Sequence, residues 1–124
     1  MSGEAVKVVV RCRPMNQREK DLKCEVIVNI ETQKSQVQLK CLEEPNLPPK
    51  SFTFDGSYGV DSNTEAIYND VGFPLVESVC EGYNGTVFAY GQTGCGKSFS
   101  MQGNQIQKGI IPRAFEVRIF MLYN

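Results

Sequence analysis

Gly91 to Ser98 reads GQTGCGKS and follows directly on the apolar run TVFAY, Thr86 to Tyr90. Glycine tolerates unusual backbone angles and lets the main chain come close to a ligand, and here glycines stand at 91, 94 and 96 before a lysine and a serine. Gly91, Gly96, Lys97 and Ser98 fit the spacing G-x-x-x-x-G-K-[S/T] without a gap, the arrangement that cradles the phosphates of a nucleoside triphosphate. In such a loop the amides of Gln92, Thr93, Gly94, Cys95, Gly96, Lys97 and Ser98 turn inward as an anion-binding concavity, and the following helix adds its positive end. Lys97 then supplies a mobile charge for the outer phosphates, and the Ser98 hydroxyl ligates the Mg2+ that bridges them. The bland alternative is a glycine-rich turn that happens to contain a lysine. Because glycine is only about 7% of residues in general, a chance match in so short a chain is rare, and the required strand-before, helix-after context is met in the sequence.

The elements that must position this loop can be read on either side of it. AVKVVVRC, Ala5 to Cys12, is rich in β-branched residues and predicts a strand that RPMN closes, since Pro14 cannot donate to a ladder. CEVIVNI and SQVQLKC predict two shorter strands, and SFTFDG a further one with Phe52 and Phe54 on one face. From Ser62 the period changes. Ser62 and Glu65 have capping-box spacing, Ile67, Val71, Leu75 and Val79 recur every four residues along one helical face, and Gly82 fits the stop. Pro74 should kink or split that helix. GTVFAY, Gly85 to Tyr90, is a continuous apolar run, the pattern of a strand covered on both faces. Strand, helix, strand, phosphate loop and helix together predict an α/β sheet with its ligand at the carboxyl ends of the strands.

Composition sets the outer bounds. A chain of 124 residues with 41% hydrophobic content fits one domain or part of one. A net charge of -1 gives no reason to expect nucleic acid or a membrane as partner. MSGEAVKVVV lacks the basic start and cleavage-like end of a signal peptide, and no apolar run approaches the length of a membrane span. Cys12, Cys24, Cys41, Cys80 and Cys95 are widely spaced with no C-x-x-C pair, and there is no histidine, so free cytosolic thiols are expected rather than a zinc site.

The segments VKVVVRCRP, FTFDGSYGVDSNTEAIY, PLVESVCEGYNGTVFAYGQTGCGKSFSM and GIIPRAF resemble successive landmarks of a kinesin motor head, in family order, from about Val6 to Glu116. The details resemble most the homodimeric kinesin-2 branch. The resemblance implies a P-loop NTPase of α/β class, here the N-terminal part of a central β-sheet flanked by helices, with ATP and Mg2+ as ligands. It also implies ATP hydrolysis coupled to movement along microtubules, a cytoplasmic, cytoskeletal location that extends to the cilium, and a homodimer formed through a stalk. In kinesins the R-x-R-P segment lies by the adenine and the residue after the P-loop hydroxyl stacks on its other side. In this chain those positions are Arg11, Arg13, Pro14 and Phe99. A guanidinium plane, a proline ring and an aromatic ring suit a sandwiched base, although arginines at a solvated strand end and a packed phenylalanine would read the same in isolation.

The sequence departs from the family pattern in two ways. No switch segment of the N-x-x-S-S-R-S-H or D-L-A-G-x-E type occurs in it, so no catalytic residue is assigned, and the 124 residues are expected to lack motor activity of their own. Residues 1–116 are read as the motor part and 117–124, VRIFMLYN after Glu116, as a divergent tail. A different P-loop NTPase or a non-catalytic interaction product stays as the alternative; a GTPase would need N-K-x-D, which does not occur. Cys95, set between Gly94 and Gly96, is either a thiol with a lowered pKa beside a lysine and a helix start, or a small side chain filling a tolerant position.

Overall fold

The valines after Lys7 do form a strand, and it is short. In the computed structural model, which describes residues 6–123, β1 spans Val9–Arg11 and pairs in parallel with β5, Gly56–Tyr58. Ala5 of the expected strand lies outside the described residues. The chain divides after Ser62 into two units.

In the first unit, β2 (Val28–Glu31), β3 (Gln36–Leu39) and β4 (Lys50–Thr53) form an antiparallel sheet in the order β2-β3-β4. The turn between β2 and β3 is a 3-10 turn, Thr32–Lys34, closed by Ser35 in the left-handed region at φ 53. The sequence read SFTFDG as one strand, whereas the structure divides it between two sheets. Phe54 N–H donates to the Ser35 carbonyl at 2.9 Å, after which Asp55 turns to β1: its N–H donates to the Val8 carbonyl at 2.9 Å and its Oδ2 accepts from Val8 N–H at 2.7 Å. The switch lets one segment serve an antiparallel and then a parallel ladder. Phe52 is left 46% exposed, so the two phenylalanines do not share a covered face. The interior of this unit is small, built from Val37 and Tyr58 with Ser57, whose hydroxyl donates to the Glu31 carbonyl at 3.2 Å.

A helix that the sequence reading passed over follows β1. α1, Gln17–Asp21, starts at Asn16, whose side chain accepts from Glu19 N–H at 2.9 Å while the Glu19 carboxylate accepts from Asn16 N–H at 2.9 Å. This reciprocal pair satisfies two otherwise orphaned donors.

The second unit begins with the expected long helix, with its cap moved by one residue. The Ser62 hydroxyl donates to the Gly59 carbonyl at 2.7 Å, closing a turn, so Asn63 takes the cap and accepts from Ala66 N–H at 2.8 Å. α2 (Thr64–Ile67) runs through a π-helical turn, Tyr68–Gly72, into α3 (Phe73–Cys80). Pro74 therefore neither splits nor ends the helix. A π turn widens the ladder where proline removes a donor and crowds the preceding turn. The tyrosine ring at 68 fills the space beside Gly72, where an added Cβ would stand 2.5 Å from Tyr68 Cδ2. Ile67 is buried, and Val71, Leu75 and Val79 are half-buried along the predicted face. Gly82, at φ 106, ends α3: its N–H donates to the Val79 carbonyl and Tyr83 N–H to the Ser78 carbonyl, each at 3.1 Å. This is the paired-bond stop for which a left-handed glycine is suited.

The largest correction concerns Gly85 to Tyr90. The segment is in no strand, and all six of its residues are exposed, Phe88 at 80% and Tyr90 at 95%. An apolar run becomes a buried strand only when neighbouring strands take its N–H and C=O groups and helices cover its faces. Only its start packs: Gly85 lies against Leu75 and Val79. An apolar groove of about 280 Å³, lined in part by Leu75, Val79, Val87, Ile111 and Phe115, stays open in this unit. The α/β class holds, with two small sheets in place of one central sheet among the described residues.

α4 (Lys97–Met101) and α5 (Ile110–Tyr123) complete the unit. Gln107, between them, accepts from both the N–H and the hydroxyl of fully buried Thr64, at 3.0 and 2.9 Å, and so ties the connection to the start of α2. α5 passes through Glu116 without a break, and residues 118–123 on it are exposed. No helix among the described residues is long and apolar enough to cross a membrane.

Candidate nucleotide-binding loop

The glycine-rich loop has the backbone that its sequence demands. Gly91, Gly94 and Gly96 take φ values of 156, 82 and 103, angles at which a side chain is strained. Gly91 is further constrained by its neighbour, because an added Cβ would stand 2.3 Å from Cys95 Sγ. Cys95 N–H donates to the Gln92 carbonyl at 3.1 Å and closes the turn, and Gly96 caps α4, its carbonyl accepting from Ser100 N–H at 3.0 Å. The chain thus enters and leaves the loop through backbone states that only glycine adopts cheaply.

Lys97 is the first residue of α4, and its Nζ donates to the Gly91 carbonyl across the loop. The ammonium is therefore held at the loop rather than extended into water. Ser98 is exposed on the next position, and Phe99 is 38% exposed. These residues fit a phosphate group with its magnesium: three glycines keep side chains out of the turn, a cation lies across it and a hydroxyl follows. The half-buried Cys95 thiol packs against Gly91. All five cysteines are free, and no cluster of metal-ligating side chains occurs among the described residues.

The other expected contact residues belong to the first unit. Arg11, at the end of β1, donates from Nη2 to the Ser62 carbonyl at 3.1 Å, and partial burial lowers its pKa. Arg13 meets Glu19 as a two-pronged pair, Nη1 to Oε2 at 2.8 Å and Nη2 to Oε1 at 2.6 Å, while Nη1 also donates to the Pro14 carbonyl at 2.9 Å. The Arg13 hydrogen bonds, with that from Asn16 N–H second, hold the Glu19 carboxyl down at about 2. Two parallel charge-assisted bonds fix the plane of a guanidinium as well as its position. Glu19 was missed by the sequence reading, although N-x-x-E at Asn16 and Glu19 carries the same spacing signal that was applied at Ser62 and Glu65.

Comparison with known proteins gives a consistent result. The kinesin motor domain family model matches residues 11–124. Kinesin-like protein Klp68D of Drosophila melanogaster is 46% identical over 118 residues, covering 92% of this chain and 15% of that protein. Kinesin-like protein KIF3C of Mus musculus is 44% identical over 119 residues, covering 93% and 15%. The Bos taurus protein of the same name is 44% identical over 122 residues, with the same coverage.

Proposed function

This chain belongs to the kinesin motor-domain family, and from that premise we propose that it is the ATP-binding part of a motor that hydrolyses ATP to move along microtubules. The chain spans 15% of the length of the relatives it matches. Gly91, Gln92, Thr93, Gly94, Cys95 and Gly96 form the phosphate cradle with their backbone. Lys97 exchanges the Gly91 carbonyl for the outer phosphate oxygens, and Ser98 gives its hydroxyl to Mg2+. Mg2+ held there would supply neutralisation of phosphate charge. Arg11, Arg13, Pro14 and Phe99 take the adenine.

The observation that carries this reading is the loop itself, with three positive-φ glycines and Lys97 held across it on the Gly91 carbonyl. Titration with a fluorescent ATP analogue in the presence of Mg2+ tests it. Saturable binding that ATP displaces is expected, and no binding to folded protein would remove the assignment.

For the whole protein we propose microtubules as the partner, engaged through motor-head segments outside these 124 residues, a kinesin-2 character and a homodimer built on a stalk. Neither nucleic acid nor membrane is a proposed partner; the location is the cytoskeleton, extending to the cilium. Residues 1–116 are the motor part and 117–124 a tail of divergent sequence. By themselves the 124 residues bind ATP without microtubule-stimulated turnover, since no segment of either switch type lies in them to sense the terminal phosphate or place the attacking water. Phosphate release measured with and without polymerised tubulin decides this. A saturable stimulation would overturn it.

A further inference from the structure

We propose that Asn84 is a site of spontaneous covalent modification, in which the Gly85 nitrogen attacks the Asn84 side-chain amide and converts it, through a cyclic imide, to aspartate and isoaspartate. Asn84 is the one asparagine of the chain that a glycine follows. Glycine has no side chain to shield its own nitrogen or to restrict the backbone angles that bring that nitrogen onto the neighbouring amide. Both residues are exposed and lie in no helix or strand, just past the stop at Gly82. Among the described residues neither the Asn84 side chain nor Gly85 N–H has a hydrogen-bond partner. Nucleophile and electrophile are therefore adjacent, wet and unrestrained.

Comparable groups elsewhere are held by partners. Asn16, Asn63 and Asn104 each have the side-chain oxygen engaged by a backbone N–H, at 2.9, 2.8 and 2.9 Å. In the aspartate–glycine pair Asp55–Gly56, the carboxylate accepts from Val8 N–H at 2.7 Å and Gly56 stands in the ladder opposite Val9. At Asn84 the Gly85 nitrogen gives its proton to a base and bonds to Asn84 Cγ, while the Cγ–Nδ2 bond breaks and Nδ2 leaves as ammonia, taking up a proton. Water then adds across one of the two imide C–N bonds, its hydroxyl going to carbon and its proton to nitrogen. Opening at Cγ gives aspartate. Opening at the main-chain carbonyl carbon of residue 84 gives isoaspartate, whose main chain runs through Cγ and is longer by a methylene. Nothing is oxidised or reduced, and water is the co-reactant. The added length enters where Gly85 rests against Leu75 and Val79, at the packed start of the approach to the phosphate loop.

The test incubates the full chain at neutral pH beside a peptide of residues 82–90. The isoaspartyl product is read by peptide mapping and by labelled methyl transfer from an isoaspartyl carboxyl methyltransferase. Product is expected at residue 84, formed at a rate within about tenfold of that in the peptide, because a segment with no hydrogen bonds to open carries little protection. Asn84→Gln, whose ring closure needs a larger and slower-forming imide, is expected to lose the methyl label at that position. Label that stays undiminished in Asn84→Gln, or that maps in the unaltered chain to other residues and not to 84, would overturn the proposal. So would a rate in the chain more than about tenfold below that of the peptide, since the fold would then shield the pair.

Discussion

The corner at Arg13 and the segment leading into the phosphate loop make opposite use of their sequences. Between Arg13 and Glu19 the cap and the ion pair are both supplied within seven residues, and a short helix forms on them. Between Gly85 and Tyr90 a strongly apolar, strand-like run lies exposed and in no ladder. Hydrogen bonds between near neighbours need little chain closure, whereas a strand depends on partners that arrive from far along the sequence. The phosphate loop stands between these cases. Its turns are local, but its approach is through the unpaired run.

The sharpest way to break the comparison is at the loop. Lys97→Ala is expected to weaken Mg·ATP binding on the order of 10- to 100-fold, the range for losing one charge-assisted hydrogen bond. It should leave the thermal melt nearly unchanged, since the lysine's partner is a backbone carbonyl at a loop that glycine geometry already shapes. Nucleotide titration alongside a melt checks both. Unchanged affinity removes Lys97 from the site.

Gly91→Ala comes next. Its Cβ would press on Cys95 Sγ at 2.3 Å, and its φ of 156 disfavours a side chain, so a loss of about 1–3 kcal/mol in stability is expected. Cys95→Ala in the same chain removes the sulfur and leaves only a Cβ contact at 3.4 Å. A double-mutant cycle should therefore recover part of the loss. Strict additivity would mean that the loop relaxes without the cysteine.

Cys95 gives a third measure. Its thiol is half-buried against Gly91, so maleimide labelling should be slow, and bound ATP should slow it further if the sulfur borders the cradle. Equal rates with and without ATP would place the thiol away from the ligand.

The smallest expected effect is at the Arg13 corner and appears only in acid. Glu19 is held at about 2 against an ordinary 4.5. A depressed carboxyl contributes stability that is complete above the unfolded value and is lost as pH falls toward the folded one. Urea midpoints should therefore decline between 4.5 and about 2, and Arg13→Ala, which removes the largest cause of the shift, should flatten that decline. An equal decline in both proteins would mean that the pair contributes nothing in solution.

The same contrast explains what could be read in advance. The phosphate loop was legible because its spacing is a chemical requirement, and Gly82 because a left-handed stop asks for glycine. The cap at Asn63 was displaced from Ser62 by a competing turn on Gly59, and two adjacent residues with similar side chains do not reveal which one will be recruited. N-x-x-E announces α1, but RPMN reads equally as a strand end, because Pro14 cannot donate to a ladder. The division of SFTFDG between two sheets was beyond the pattern of alternation, since it depends on where Val8 and Ser35 lie.

By itself, the sequence determined what is closed over short distances: the glycine angles of the loop, the lysine and serine after it, the capped turn beside Arg13, and the family to which the chain belongs. Tertiary structure alone decided which partners met. It set Arg11 on the Ser62 carbonyl, Gln107 on the buried Thr64, and Lys97 across the loop on Gly91, and it left Gly85 to Tyr90 exposed and in no strand. The physical reason is that a local hydrogen bond is specified by residue type and spacing, while burial and strand pairing are properties of two segments at once.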